Sequence, residues 1–332
     1  MTFIIFKRKN DACRKEVWGS NFAETDFMKW PLLIAGFLLV FSSCETEEQY
    51  PIAGTSFTQD KDFNAYWFRG KAEVNTYRLK QARYGEMRDG YTALIFVTED
   101  YSLSRHLKVN KPEKAGDDKI SILKLNTDKK FNTGIYQYAM MQSVFTPVNL
   151  EEHPHSLRAT TSSQEWCGHS FSLLDLQKGK YAISLHSYFE SEGDRKWSVK
   201  LALLEDEIWT RLRIAPGSLP EGEVDVIPGA IAARFSHRPQ AVEKAEANWE
   251  KSEIEWTYRL RYNTFTRSLS IRIEPDFPHR ILGWEETYIS GSGDEAMEMT
   301  SIATLHDSLF TPYWKQHTNE DEYLRGELGL EW

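Results

Sequence analysis

Beyond about residue 60 the chain is dominated by alternation of apolar and polar positions with a period of two, the pattern of strands with one face buried. Tyr66 to Leu79 reads as strand with a break at Gly70, and Tyr91 to Thr98 as a buried strand by its β-branched and aromatic content, Gly90 supplying the turn before it. Residues 109 to 119 are a charged loop, Ile120 to Asn126 alternates, and Tyr136 to Val144 gives a further strand. Tyr181 to Phe189 sets Tyr181, Ile183 and Leu185 on one face against Ser184 and His186 on the other. In the last third, Ile254, Trp256, Tyr258, Leu260 and Tyr262 alternate with Glu255, Thr257, Arg259 and Arg261 over Glu253 to Tyr262. Asn263 to Ser268 turns this strand, Leu269, Ile271 and Ile273 return antiparallel, and Ile281 to Ser290 adds a third strand before the flexible segment 290–294. One helix interrupts the pattern. Over Ser198 to Ile214, Leu201, Leu204, Ile208 and Leu212 form a single stripe with Glu205, Asp206 and Glu207 between them, and Pro216, Gly217 and Pro220 stop it.

These elements predict a mainly β protein, with one or two curved antiparallel sheets and a short helical insert. An N-terminal β-rich part (60–214) is expected to meet a C-terminal β-rich part (215–332) at the Pro/Gly-punctuated stretch 215–229. Aromatic strands such as 254–262 suit a curved sheet whose inner face packs on the helix or holds a lipid-sized ligand. No repeat of 20–50 residues is found.

The strongest local signal precedes this region. Met28-Lys29-Trp30, the apolar run Pro31 to Phe41 and Ser42-Ser43-Cys44 supply the basic, apolar and small-residue parts of a secretory signal. The run is shorter than the ~20 residues of a membrane span. Ending on a cysteine, 28–43 resembles a bacterial lipoprotein signal peptide, which implies diacylation of Cys44; Phe41 stands where such signals usually carry leucine, and an uncleaved signal anchor is the other reading. Translation is expected to start at Met28, with residues 1–27 a gene-model extension. Residues 44–59 form a tether in which Glu45, Glu47 and Glu48 are either solvated linker charge or a tag of the kind that sends lipoproteins to the cell surface.

Charge and cysteine usage narrow the field. Lys+Arg 40 against Asp+Glu 49 gives a net charge of −9, which disfavours nonspecific nucleic-acid binding. Loss of the leader removes six basic and four acidic residues, leaving 34 against 45 and a net charge of −11. The picture is an acidic domain held to a membrane, the outer membrane favoured, through a lipid at Cys44 and facing periplasm or cell surface. Of the 3 cysteines, Cys167 then remains as a free thiol, and no disulfide scaffold is available.

The tightest polar constellation is Glu165-Trp166-Cys167-Gly168-His169, preceded by His153-Pro154-His155. Cys167 and His169, two apart on a strand, would share a face and could begin a cysteine nucleophile pair. His153, His155, Cys167 and His169 would supply the four ligands zinc prefers if residues 156–164 fold back as a hairpin, with His186 to spare. The plainer account is a small buried cysteine and surface histidines. There is no P-loop, G-x-S-x-G, H-E-x-x-H or G-x-G-x-x-G motif. Glu285 and Glu286 are placed on opposite faces of a strand and cannot serve one substrate as an acid/base pair. Arg78, Lys80, Arg83 and Arg88, interleaved with Tyr77 and Tyr84, read as a nucleic-acid or anionic-lipid patch or, given the acidic total, as a solvated strand face.

The segments Tyr66 to Glu73, Gln81 to Gly85, Lys129 to Tyr136, Gln164 to His169 and Trp284 to Thr287 together resemble a family of bacterial lipoproteins commonly labelled "septum formation inhibitor Maf". The resemblance spans most of 60–325 and implies an envelope lipoprotein; taken literally, the label implies a nucleotide pyrophosphatase. The Ser-x-Ser-x-Arg-Arg phosphate-binding run of those enzymes is absent from this chain, so none of their residues carries over. The expected function is a non-enzymatic envelope protein binding an apolar, glycan or protein ligand; the alternative is a metal-dependent or cysteine hydrolase centred on Cys167 and His169.

Overall fold

A computed structural model describes residues 61–330; the leader, Cys44 and the tether lie outside them. In chain order the elements are α1 (Lys61–Trp67), β1 (Ala72–Arg83), β2 (Glu86–Ser102), β3 (Leu107–Lys108), β4 (Lys119–Thr133), β5 (Tyr136–Pro147), β6 (Arg158–Glu165), β7 (Gly168–Gln177), β8 (Lys180–Ser187), β9 (Arg195–Lys200), β10 (Leu203–Leu204), α2 (Glu205–Ile214), β11 (Gly222–Ile227), α3 (Ala230–Ser236), β12 (Glu243–Lys251), β13 (Trp256–Tyr262), β14 (Arg267–Ile273), β15 (Ile281–Ser290), β16 (Met297–Thr311) and α4 (Tyr323–Glu327). Among the described residues no helix is long and apolar enough to cross a membrane.

The strands make one open, curved sheet of 16 strands in the order β10-β11-β12-β13-β14-β15-β16-β1-β2-β4-β5-β6-β7-β8-β9, with β3 on the side of β2. Every pairing is antiparallel except β10 with β11. The expected division at 215 therefore separates two halves of a single sheet, and β16 paired to β1 from Ala72↔Thr311 to Lys80↔Ile302 fuses them. The stretch 215–229 carries β11 and continues the sheet. The two edges, β9 and β10, are consecutive in the chain. From β9, Lys200 Nζ reaches Asp225 of β11 at 2.7 Å, and Trp197 Nε1 donates to the Gln240 carbonyl at 2.9 Å.

Several sequence expectations shift. Tyr66 and Trp67 close α1 rather than opening a strand, because Phe63 and Trp67 form the buried side of a short helix. Gly90 lies inside β2, and the turn falls at Tyr84 and Gly85, both at positive φ. Glycine is required at 90 by close backbone approach: a Cβ there would stand 2.3 Å from the Lys130 carbonyl. The helix predicted from Ser198 begins only at Glu205; Arg195–Lys200 is β9, with Trp197 and Val199 facing inward as period two demands. Ile254 is exposed in the turn between β12 and β13.

α2 lies on the concave face and is buried on all sides save Trp209, so it is a central post rather than an amphipathic surface helix. Its C-terminal half meets an apolar wall: Ile208, Leu212 and Ile214 join Phe96, Leu125, Val144, Leu174 and Tyr181 in the core. Arg213, wholly buried, forms a two-pronged ion pair with Glu73 at 2.6 and 2.7 Å, its guanidinium over the rings of Trp67 and Phe96. Burial opposes ionisation of Glu73, but Arg213 overrides it and holds the carboxyl at about 2.

Candidate functional site

The same inner face turns polar toward one end of the sheet. The registers put Gln81, Thr92, Lys129, Gln142, Thr161, Ser163, Ser170, Glu286 and Ser301 on the inward parity, level with the first turn of α2. All of them are buried. The turns at 84–85, 134–135, 166–167, 263–266 and 291–296 lie at this end, together with the β11–β12 connection that contains α3.

Charge is concentrated where α2 begins. Glu205 accepts from Arg267 through both carboxylate oxygens, and from the Tyr262 hydroxyl at 2.6 Å. Arg267 also reaches Glu286 at 3.3 Å, and Lys129 Nζ reaches the other Glu286 oxygen at 3.2 Å. Burial alone would raise the Glu286 carboxyl; the two cations hold it at about 2 instead. Asp206 has no such cation in contact. Burial, reinforced by the neighbouring Glu205 charge, pushes it up to about 7. Its carboxyl oxygens accept from the Ala230 N–H at 3.1 and 3.2 Å, fixing the start of α3. Gly229 permits that approach, since a Cβ there would meet Glu205 Oε1 at 2.7 Å and Asp206 Oδ1 at 2.9 Å.

α3 lies as a bar across this polar end. Ala230 is its only buried residue. Its far end is held by Arg83 Nη1, which donates to the Phe235 carbonyl at 3.1 Å, and by the Phe235 ring, set edge-on to Phe131 and Tyr138. Arg83 is thus buried, not part of a solvated basic face, whereas Arg78 and Lys80 are exposed. On one side of α3 lies a cavity of about 400 Å³. Pro228, Ala232, Phe235, Phe265 and Ile289 wall it, and Arg267 and Glu286 reach it from the floor. On the other side a smaller space of about 70 Å³ opens against β6, β7 and β9.

The residues singled out from the sequence lie elsewhere. The span expected to fold back as a hairpin runs instead as β6, whose 8 residues extend about 25 Å. His153 and His155 therefore stand at one end of that strand and Cys167 and His169 at the other, so the four do not converge on one ion. His155 Nδ1 lies 3.2 Å from the buried Glu207. Cys167 is exposed in the β6–β7 turn, where its thiol is pushed up by a hydrogen bond to Glu165 and by that carboxylate's charge. His169 is exposed at the start of β7, and His186 faces Asp194 at 3.3 Å on the outside. Glu285 and Glu286 do take opposite faces, exposed and buried. Reading from sequence missed Glu205, Asp206, Lys129, Arg267 and Glu286 as a group; the available signal was parity, Lys129 standing two residues from Phe131 and Glu286 two from Trp284. No protein-family model matches the chain, and neither a curated protein nor a solved structure does.

Proposed function

We propose that this chain is an envelope-tethered lipoprotein whose folded part binds a small amphiphilic molecule beneath α3. The observation that carries the reading is the cavity of about 400 Å³, within the range of small-molecule sites, with apolar walls and a few convergent polar groups. An apolar body would lie against Phe235, Phe265 and Ile289, and a polar end would meet Arg267 and Glu286. Because those two are already held by Glu205 and Lys129, they are pre-organised and need no rearrangement to receive a ligand. The tether rests on the 28–44 signal, and metabolic labelling with palmitate checks it: Cys44→Ser ends incorporation. A hydrolase centred on Cys167 and His169 draws no support from a thiol that Glu165 keeps protonated.

The cavity is tested by titrating the full-length protein with the fluorescent amphiphile 1-anilinonaphthalene-8-sulfonate. Saturable binding is expected, weakened about tenfold or more by Ala232→Trp, which fills the cavity from the side of α3 that packs least. Binding unaltered by Ala232→Trp overturns the assignment.

A further inference from the structure

We infer that the smaller pocket, which adjoins the larger cavity at Ala233 and residues 237–239, is a second site, built for the hydroxyl-bearing edge of a neutral saccharide unit. Its wall is a grid of hydroxyls. Thr161 and Ser163 of β6 stand directly opposite Ser172 and Ser170 of β7, and all four line the pocket. Each hydroxyl both donates and accepts, which is what a ring edge with neighbouring hydroxyls requires. Two groups are left without partners. Ser163 Oγ has none although the residue is 2% exposed, and Arg234 Nε has none although its side chain is 8% exposed. Buried polar groups are ordinarily hydrogen-bonded, so these two bring unused hydrogen-bonding capacity to the pocket.

Two further features select the class of ligand. Trp197 gives the pocket an aromatic wall, its indole edge fixed by the bond to Gln240, suited to the apolar face of a sugar ring. Inside the pocket the charges are already matched: Arg234 faces Glu192 at 3.2 Å and Glu165 at 4.0 Å, His237 faces Glu192 at 2.6 Å, and Arg238 faces Glu243 at 3.6 Å. Arg195, at the mouth, donates to the neutral Ser191 carbonyl at 2.6 Å. A phosphate or carboxylate needs cations that are not already neutralised, whereas a neutral polyol needs only donors and acceptors. The enclosed space of about 70 Å³ takes one edge of one ring, the rest lying in the mouth beside Arg195 and His237.

The test is saturation-transfer NMR on the full-length protein with glucose, galactose and N-acetylglucosamine at millimolar concentration, and with inorganic phosphate as competitor. At least one sugar is expected to receive saturation on its ring protons. Ser163→Val and Arg234→Lys should each weaken that binding about tenfold, while the affinity for 1-anilinonaphthalene-8-sulfonate stays unchanged, which separates this site from the larger cavity. The inference is overturned if none of the three sugars binds, if both variants bind as the parent does, or if equimolar phosphate displaces the sugar.

Discussion

The inner face of one sheet is used in two opposite ways. Around the C-terminal half of α2 it is close-packed and apolar, and its most deeply buried charge pair, Arg213 with Glu73, is complete in itself. Around the first turn of α2 the same strands, two to six residues further along, present Lys129, Gln142, Thr161, Ser163 and Glu286. There the polar groups form an extended network with several members unpaired, Gln81 Oε1, Arg83 Nε, Thr92 Oγ1 and Ser163 Oγ among them. A folded chain tolerates unpaired buried groups where something other than stability selects them. The apolar half holds the fold; the polar half is where binding is to be sought.

That contrast can be broken by substitution. The largest effect belongs to the apolar half: Arg213→Met strands the Glu73 carboxylate and should destabilise by about 3–5 kcal/mol in urea unfolding, while adding Glu73→Leu should recover most of the loss. Next comes Leu212→Ala, at about 2–5 kcal/mol; if Thr161→Val in the polar half is equally damaging, the two regions do not differ as described. The pH profile sharpens the comparison further. Asp206 is raised from 3.8 to about 7, so its contribution is fully present below its ordinary value and is lost as pH climbs toward 7. Glu73 and Glu286 are lowered from 4.5 to about 2, so theirs is present above the ordinary value and is lost as pH falls toward 2. Asp206→Asn should therefore flatten the decline in unfolding midpoint between about pH 4 and 7, gaining on the order of 2 kcal/mol above it, and leave the acid limb intact. Smallest of all, Ser163→Val should stabilise by about 1 kcal/mol or less, because it removes a hydroxyl that has no partner.

Alternation alone located β5, β8, β14 and β15 well, since Val144, Ile183, Ile271 and Trp284 mark their inward faces by apolarity. It failed where inward residues are small or polar. β12 turns Ala245 and Ala247 inward, and β16 turns Ser301 and Ala303 inward, so neither strand shows a hydrophobic stripe. The sequence pattern runs the helix back to Ser198 because Leu201 and Leu204, at the exit of β9, stand by coincidence at helical spacing from Ile208. The polar chamber was illegible for a related reason: serine, threonine and lysine on an inner face look the same in sequence as on an outer one. Only their parity with Phe131, Val144, Ala159 and Leu174 along the same strands distinguishes them, a signal that shows a shared face but not that the face is the inner one.

The pairing of β16 with β1 ties the earliest part of the sheet to the latest. During synthesis from the N-terminus, β2 follows β1 directly, but the other edge of β1 stays open until residues 302–311 have emerged. Such an edge is a template for wrong partners, so the interval between first and last strand is the period in which this polypeptide has most need of a holding chaperone.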